Sequence, residues 1–481
     1  MGGSMKSRFL VALAVAGLLQ GFGALRVQGA AKPILVHYMP WFVAKPYSGA
    51  WGYHWTMGST NYNPDQFLAN GRRKIASNYY PLTGPYDSLD PAVLEYQVLL
   101  MKLGGVDGII ADWYGHESYL DYGEINQRTM AISGWARKAG LKFSICYEDR
   151  TVQTKVNNGR IAATGAVSNA QQSMLYLQTN YFADSSYLRL SNRPVLLNFG
   201  PVYFKTDSQW SAIFSVLSNP PAFYTEDTRY AAGLGAFNWP PMWRSVAGVL
   251  SLSSLNSYLD SFEVSSGSWP SSIGSAFPRF HDFYAQAGMT SYGYLDDRSG
   301  QTLRETLTRA LTNRSHFVQV VTWNDYGEGT IVEPTLENGY RDLGIIQDLR
   351  RKHVEPGFPH GTNELSLAFR LYEQRRQFGN YPAIAAELNR IFTNLVSGRI
   401  SAASRQLAGV ETYHPVLYDF KGGSNTLQFA IGGYLAGGAQ VAMSTNLTSW
   451  EVVRSYSSTT GLILFTTNIS SQATSRYLRV Q

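Results

Sequence analysis

Cysteine is almost absent: Cys146 is the single one in 481 residues, which excludes an intramolecular disulfide framework and any zinc site built from cysteines. Charge is scarce as well. Asp, Glu, Lys and Arg make up 15% of the chain, and the basic residues form no run longer than three, so there is no nucleic-acid footprint. The chain lacks a G-x-x-x-x-G-K-[ST] phosphate loop, an H-E-x-x-H or other histidine cluster at zinc spacing, a D-x-[DN]-x-[DN]-G calcium loop and a G-x-S-x-G elbow. These absences argue against nucleotide hydrolysis, spacing-defined metal chemistry and ordinary esterase chemistry; no metal and no cofactor are expected. After the N-terminal region no apolar run approaches the ~20 residues that a membrane helix needs.

Apolar and aromatic surface is abundant. Hydrophobic residues are 44% of the total, and 31 Tyr, 23 Phe and 11 Trp rule out a disordered polypeptide. The aromatic surplus fits stacking on sugar rings and fits a large core equally well. Met5-Lys6-Ser7-Arg8 precedes the apolar run Phe9 to Ala24, and Val27 and Gly29 suit the −3 and −1 positions of a signal-peptidase site. A signal peptide over 1–29 is therefore expected, with secretion to the periplasm or the exterior and no membrane span in the mature chain. Discounting Lys6, Arg8 and Arg26 leaves 37 basic against 34 acidic residues, so the net charge falls from +6 to +3, a weak preference at most for acidic polymers.

Short apolar runs then alternate with segments of helical spacing. The strand candidates are Ile34 to Met39, Val106 to Ala111, Leu141 to Tyr147, Val195 to Phe199, Ala236 to Asn238, Val246 to Leu250, Tyr292 to Leu295 and Phe317 to Trp323. Their apolar residues are continuous, which means parallel strands covered on the outside, and eight of them among helices predict an α/β fold, a (β/α)8 TIM-type barrel, over 30–350. Two amphipathic helices, Leu365 to Phe378 and Ala383 to Val396, predict a helical extension over 351–410. Alternating apolar positions in a Ser-, Thr- and Gly-rich stretch predict a small antiparallel β module over 411–481.

Polar and aromatic residues cluster where the candidate strands end, and barrels build their sites there. Thr322-Trp323-Asn324-Asp325-Tyr326-Gly327-Glu328-Gly329-Thr330, followed by Glu333-Pro334, is the most informative stretch. Asp325 and Glu328 are three apart on a Gly-flanked loop after a strand, so both carboxyls can face one cleft. Two carboxyls in one pocket push their pKa values apart and yield one acid and one base near neutral pH, the division of labour that glycoside hydrolysis requires.

At this point the chain resembles glycoside hydrolase family 99, the endo-acting α-mannosidases and α-mannanases, and the related family 71. His37-Tyr38-Met39-Pro40-Trp41-Phe42 is similar to the family's first strand, and Trp51-Gly52-Tyr53-His54-Trp55 to its W-x-H-W stretch. Tyr80 to Ser88 with Asp90-Pro91 is similar to its Y-P-x-x-G-x-Y-x-S-x-D-P segment, and Asn324 to Thr330 to its N-E-W-x-E-G-T signature. The resemblance runs in order from about Ile34 to Pro334. It implies a (β/α)8 barrel and a retaining, metal-independent mechanism acting on polysaccharide or glycan. Carried over residue by residue, it makes Glu328 the general acid/base. It makes Asp325 the group that assists the sugar's own 2-hydroxyl in attacking the anomeric carbon, and Glu148 a ligand of the sugar in the −1 site. The departure is Asp325, one methylene shorter than the family's Glu.

Further substrate-binding candidates are His37, Tyr38, Trp41, His54, Trp55, Asp112, Trp113, Tyr114, Asn198, Trp239, Trp323 and Asn324. The two histidines have a plainer alternative as rim or core histidines, Asp112 as a cap, and the tryptophans and Tyr114 as packed rings; Asp296 and Asp297 read equally well as a helix entry. The sequons at Asn313, Asn446 and Asn468 matter only in a host that glycosylates. The C-terminal Ser444-Thr445-Asn446-Leu447-Thr448-Ser449-Trp450 and Tyr477-Leu478-Arg479-Val480 resemble a small β-sandwich appended to many secreted bacterial proteins, with Trp450 either an exposed ring for sugar or part of a core. The expected activity is an endo-acting, retaining glycoside hydrolase on an α-mannan-like polymer, working as a monomer. The alternatives are a catalytically silent glycan-binding barrel and a hydrolase of α-glucan or another heteropolysaccharide.

Overall fold

In the computed structural model, which describes residues 32–379, 382–411, 416–422, 426–432, 439–456, 463–468 and 477–480, Ile34–Tyr38 (β1) is buried along its whole length and is paired on both edges. A strand buried on both faces needs apolar residues at successive positions, and the barrel strands supply them. They are β1, Gly108–Trp113 (β2), Lys142–Tyr147 (β3), Arg193–Asn198 (β4), Ala222–Glu226 (β5), Gly235–Phe237 (β6), Ile273–Ala276 (β7) and Phe317–Val320 (β8). They lie in the order β6-β5-β4-β3-β2-β1-β8-β7, all parallel. Where β6 meets β7, Ser271 N donates to Leu234 O at 3.1 Å and Asn238 N to Ser275 Oγ at 3.1 Å, nearly closing the ring. Gly235 makes that approach possible: a Cβ there would lie 1.9 Å from Ser271 O. The result is a (β/α)8 barrel.

Two of the eight expected strands are not in it. Val246 to Leu250 is a rim loop with Val246 and Val249 exposed, and Tyr294–Leu295 pairs antiparallel with Phe280–His281. Their places belong to β5 and β7, sequences AFYTE and IGSA, which are short and low in β-branched residues. Burial inside a closed ring overrides the modest strand propensity of IGSA, whereas Phe223, Tyr224 and Thr225 suit a strand.

Successive side chains on a strand point to opposite faces, so parity decides what each residue meets. Leu35, Ile110, Cys146 and Leu197 share one core cluster in the barrel interior, whereas Val36, Ile109, Ile145 and Leu196 join the helices in another. The outer layer includes Pro91–Leu103, Tyr122–Lys138, Ala166–Leu177, Asp207–Phe214, Leu252–Ser266, Gln301–Thr312 and Arg341–His353. Pro91 opens the first with Asp90 as N-cap, whose side chain accepts from Ala92 N at 3.0 Å.

Three further helices follow, Thr362–Phe378, Pro382–Val396 and Ile400–Glu411; the third was not evident in the sequence. Arg375 reaches from the first of them to Glu95 on Pro91–Leu103, a bidentate ion pair at 2.7 and 2.8 Å with Glu95 buried. Six strands after that form two three-stranded antiparallel sheets, with Phe429, Ile431, Val441, Ile463 and Phe465 as a common core. Trp450 is half-buried: Arg479 covers its ring at 4.4 Å and its Nε1 donates to Leu447 O at 3.2 Å. The segment 1–29 lies outside the described residues. Among the described residues no helix is long and apolar enough to cross a membrane.

Candidate active-site cleft

The carboxyl ends of the barrel strands open into a cleft of about 530 Å³. Parity sorts the candidates. His37, Asp112 and Glu148 come from inward positions at the ends of β1, β2 and β3 and line the cleft, together with Trp41, Trp239, Asp325 and Glu328. The outward neighbours do not. Tyr38 donates its hydroxyl to Gln97 Oε1 at 2.7 Å behind the barrel wall, and Trp113 Nε1 donates to Asn126 Oδ1 at 2.9 Å among helix residues.

Other candidates also lie outside the cleft surface. Trp55 and Trp323 are fully buried, Trp55 with its Nε1 on Tyr86 O at 2.8 Å. Asn198 is buried beside Asp149, which in turn accepts from the backbone N–H groups of Val202, Tyr203 and Phe204. His54 lies flat on Trp41 at 4.1 Å, supporting that ring from behind, and burial pushes its imidazole down to about 3. Tyr114 stands 6.2 Å from Trp41 with the rings tilted by 55°. Asn324 is a clip: its Oδ1 accepts from Met39 N at 2.8 Å, while its Nδ2 donates to Met39 O and to Tyr86 OH, both at 3.0 Å.

The loop carrying Asp325 and Glu328 is tied at several points. Asp325 N donates to Thr322 Oγ1 at 2.8 Å, Glu328 N to Asp325 Oδ1 at 3.0 Å, and Gly329 N to Asp325 O at 2.9 Å. Gly329 has φ +67° and no room for a side chain, since a Cβ would come 2.5 Å from His281 O. Below the loop, Glu333 accepts from Gln97 Nε2 at 2.7 Å, Tyr326 OH at 2.8 Å and Tyr86 OH at 2.9 Å, anchoring it to the core.

Proton affinities in the cleft are staggered. Burial raises the Asp325 carboxyl to about 6, against the pull of the Glu328 and Gly327 N–H groups. Glu328 lies well above the ordinary range, first through burial and then through the Asp325 charge, although Trp239 Nε1 donates to it at 3.1 Å. A carboxyl that holds its proton beside one that gives it up can protonate a leaving oxygen while its neighbour accepts a proton. Across the cleft, burial lifts Glu148 to about 7, against the opposing charge of Arg150. Asp112 is raised as well, first by burial and then by the Glu148 charge.

Several lining residues were not anticipated. Glu226 ends β5, and burial raises it to about 8; its signal was the strand AFYTE, unread in the sequence. Arg150 brings the one cationic side chain among the cleft's lining residues. Trp243 and Tyr292 sit on rim loops at 70% and 58% exposure, the former with Arg244 4.8 Å from its ring. Of metal-capable groups among the described residues, His37, Asp112 and Cys146 bring their ligand atoms within 4.8 Å of one another at the cleft floor.

The sequence matches no family model and no curated protein. Two structures of the family 99 endo-α-mannosidase from Bacteroides thetaiotaomicron, one in complex with bis-tris-propane, are similar at TM-score 0.50 and 17% identity, over 66% of this chain and 97% of theirs. A glycoside hydrolase-like protein aligns at TM-score 0.47 and 11% identity, over 66% of this chain and 94% of its own. At 17% identity the likeness is one of fold, a glycoside hydrolase-like barrel.

Proposed function

We propose that the chain is an exported glycoside hydrolase that cleaves an α-linked, mannan-like polysaccharide or glycan internally and with retention. The observation that carries this reading is the Asp325–Glu328 loop: two carboxyls of different proton affinity on one clamped turn at the mouth of the barrel. Glu328 protonates the departing glycosidic oxygen. Asp325 takes the proton of the sugar's 2-hydroxyl, whose oxygen attacks the anomeric carbon from the opposite face and gives a 1,2-anhydro sugar. The Glu328 carboxylate then accepts a proton from the water that attacks the anomeric carbon, Asp325 returns its proton to the 2-oxygen as that ring opens, and the two inversions add up to retention. Glu148 hydrogen-bonds the hydroxyls of the same sugar. The endo-α-mannosidase of similar fold supports an α-mannoside as substrate.

The test is product analysis after incubation with α-mannans, α-glucans and acidic polysaccharides, beside Glu328→Gln. Oligosaccharide release by the wild type alone is expected; binding without release by either protein would replace this reading with a silent glycan-binding barrel.

The pH dependence follows from the staggered carboxyls. Asp325 must be ionised, so kcat/KM falls as the pH drops through about 6. Glu328 must hold its proton, so kcat/KM falls again as the pH rises through its elevated pKa, and the bell reports the coupled pair. A pH–rate profile without the acidic limb would count against Asp325 as the base.

Trp243 provides a platform for sugar units beyond the cleaved bond. Trp243→Ala is expected to raise KM on long polymers about 2- to 12-fold, the equivalent of ~0.5–1.5 kcal/mol of ring stacking, with kcat unchanged. Kinetics on a polymer and on its shortest cleaved oligomer check this, since the short substrate should be indifferent.

A further inference from the structure

The strongest feature outside the acid–base loop lies under it. His37, Asp112 and Cys146 stand on the adjacent strands β1, β2 and β3, all at inward parity, and one ligand atom from each lies within 4.8 Å of the others. All three are buried. His37 Nδ1 and Asp112 Oδ2 are buried with no hydrogen-bond partner, an arrangement that a folded chain ordinarily avoids. His37 and Asp112 line the cleft, whereas Cys146 packs in the barrel interior with Leu35, Ile110 and Leu197.

We propose that His37, Asp112 and Cys146 form a binding site for a thiophilic divalent cation, with Zn²⁺ as its representative, at the floor of the cleft. An imidazole nitrogen, a carboxylate oxygen and a thiolate sulfur are all ligands that Zn²⁺ takes, and three protein ligands with a fourth position left open is the arrangement of its reactive sites. Zn–ligand bonds of ~2.0–2.3 Å set ligand atoms ~3.3–3.8 Å apart, so side-chain adjustments of about 1 Å complete the site. The setting favours a cation: Glu148, Glu226 and Asp325 line the same cleft, with Arg150 the one opposing charge among its lining residues. Spacing rules do not find this site because its ligands stand at 37, 112 and 146, brought together by strand register.

Binding exchanges the Cys146 S–H bond for an S–metal bond and releases that proton to solvent. Asp112 coordinates as the carboxylate and gives up to solvent any proton it holds. Affinity therefore rises with pH. The ion also withdraws Asp112 from Glu148, so turnover falls. That last consequence rests on the glycoside-cleaving reading, whereas uptake of the ion does not.

Co²⁺ is the probe, because a cobalt–thiolate bond has its own charge-transfer absorption and the chain has one cysteine. Titrating the mature protein with Co²⁺ should give that band at one ion per chain, and Zn²⁺ should displace it. In Cys146→Ser and Cys146→Ala, folding being checked by thermal melting, the band should vanish. Zn²⁺ binding by equilibrium dialysis should weaken more than about 100-fold, since outer-sphere partners alone are worth ~10–100-fold. Without metal, both variants should keep wild-type activity, and Zn²⁺ should inhibit the wild type only. A wild type with no thiolate band, or variants that take up Zn²⁺ as well as the wild type, would overturn the site. If neither variant folds, the wild-type band alone decides, and if the chain cleaves no polymer, absorption and dialysis still do.

Discussion

Glu328→Gln should lower kcat on a polymeric substrate about 10²–10⁴-fold, the range for loss of a positioned general acid, while KM changes little. The amide keeps the shape and remains a partner for Trp239 Nε1, 3.1 Å from the Glu328 carboxylate, so the ring and the cleft wall stay in place. What disappears is the proton that the leaving oxygen needs. An aryl glycoside with an acidic phenol as leaving group needs little protonation and should lose far less. Equal losses on both substrates would argue that Glu328 does something other than donate that proton. The comparison requires only initial rates on the two substrates.

The second large effect is at Asp325, and here two variants separate chemistry from reach. Asp325→Asn removes the base and should cost about 10²–10⁴-fold in kcat. Asp325→Glu retains a carboxylate but should still lose roughly a hundredfold, because a displacement of ~1 Å at a reacting group costs about that much. The site is built for the shorter side chain. Asp325 Oδ1 accepts from Glu328 N at 3.0 Å, so a longer side chain either breaks this tie or carries its carboxylate away from the present position. The resemblance to family 99, whose signature has Glu there, suggests the opposite outcome. If Asp325→Glu matched or exceeded the wild type, the shorter residue would be a defect that this cleft tolerates. Steady-state rates of the two variants, with melting temperatures to exclude misfolding, distinguish these outcomes.

How much could be read in advance is best seen strand by strand. The runs ILVHY and FVQV announce themselves because a parallel strand inside a barrel is apolar on both faces. IGSA does not, since its burial comes from the closed ring, where a Cβ on Gly274 would come 2.8 Å from Ser315 Oγ, and not from its own composition. Missing AFYTE concealed Glu226. The rim segment from Val246 imitated a strand by carrying apolar residues that remain exposed.

Within the site, the positions of Asp325, Glu328, Glu148, Asp112 and Trp239 were legible as strand-end clusters. The error at Tyr38 and Trp113 was to take both members of a neighbouring pair, when a pleated strand gives the cleft only one. His37 and Asp112 are the inward members. The tie between Asn324 and Met39, by contrast, spans 285 positions and is a property of the folded barrel alone.

The cleft and the molecule around it carry opposite signs. Asp112, Glu148, Glu226, Asp325 and Glu328 line the cavity against Arg150, and because burial holds protons on Glu328 and Glu226 at neutral pH the negative charge of the cleft grows as the pH rises, while the chain without 1–29 has a net charge of +3. A sulfated or uronic polymer is drawn to the exterior and repelled at the entrance, and both fields fade beyond ~8 Å at physiological ionic strength. Salt therefore sorts the polymers this protein meets. Neutral chains enter at a rate indifferent to it, whereas anionic chains gain access more readily as the repulsion at the mouth is screened.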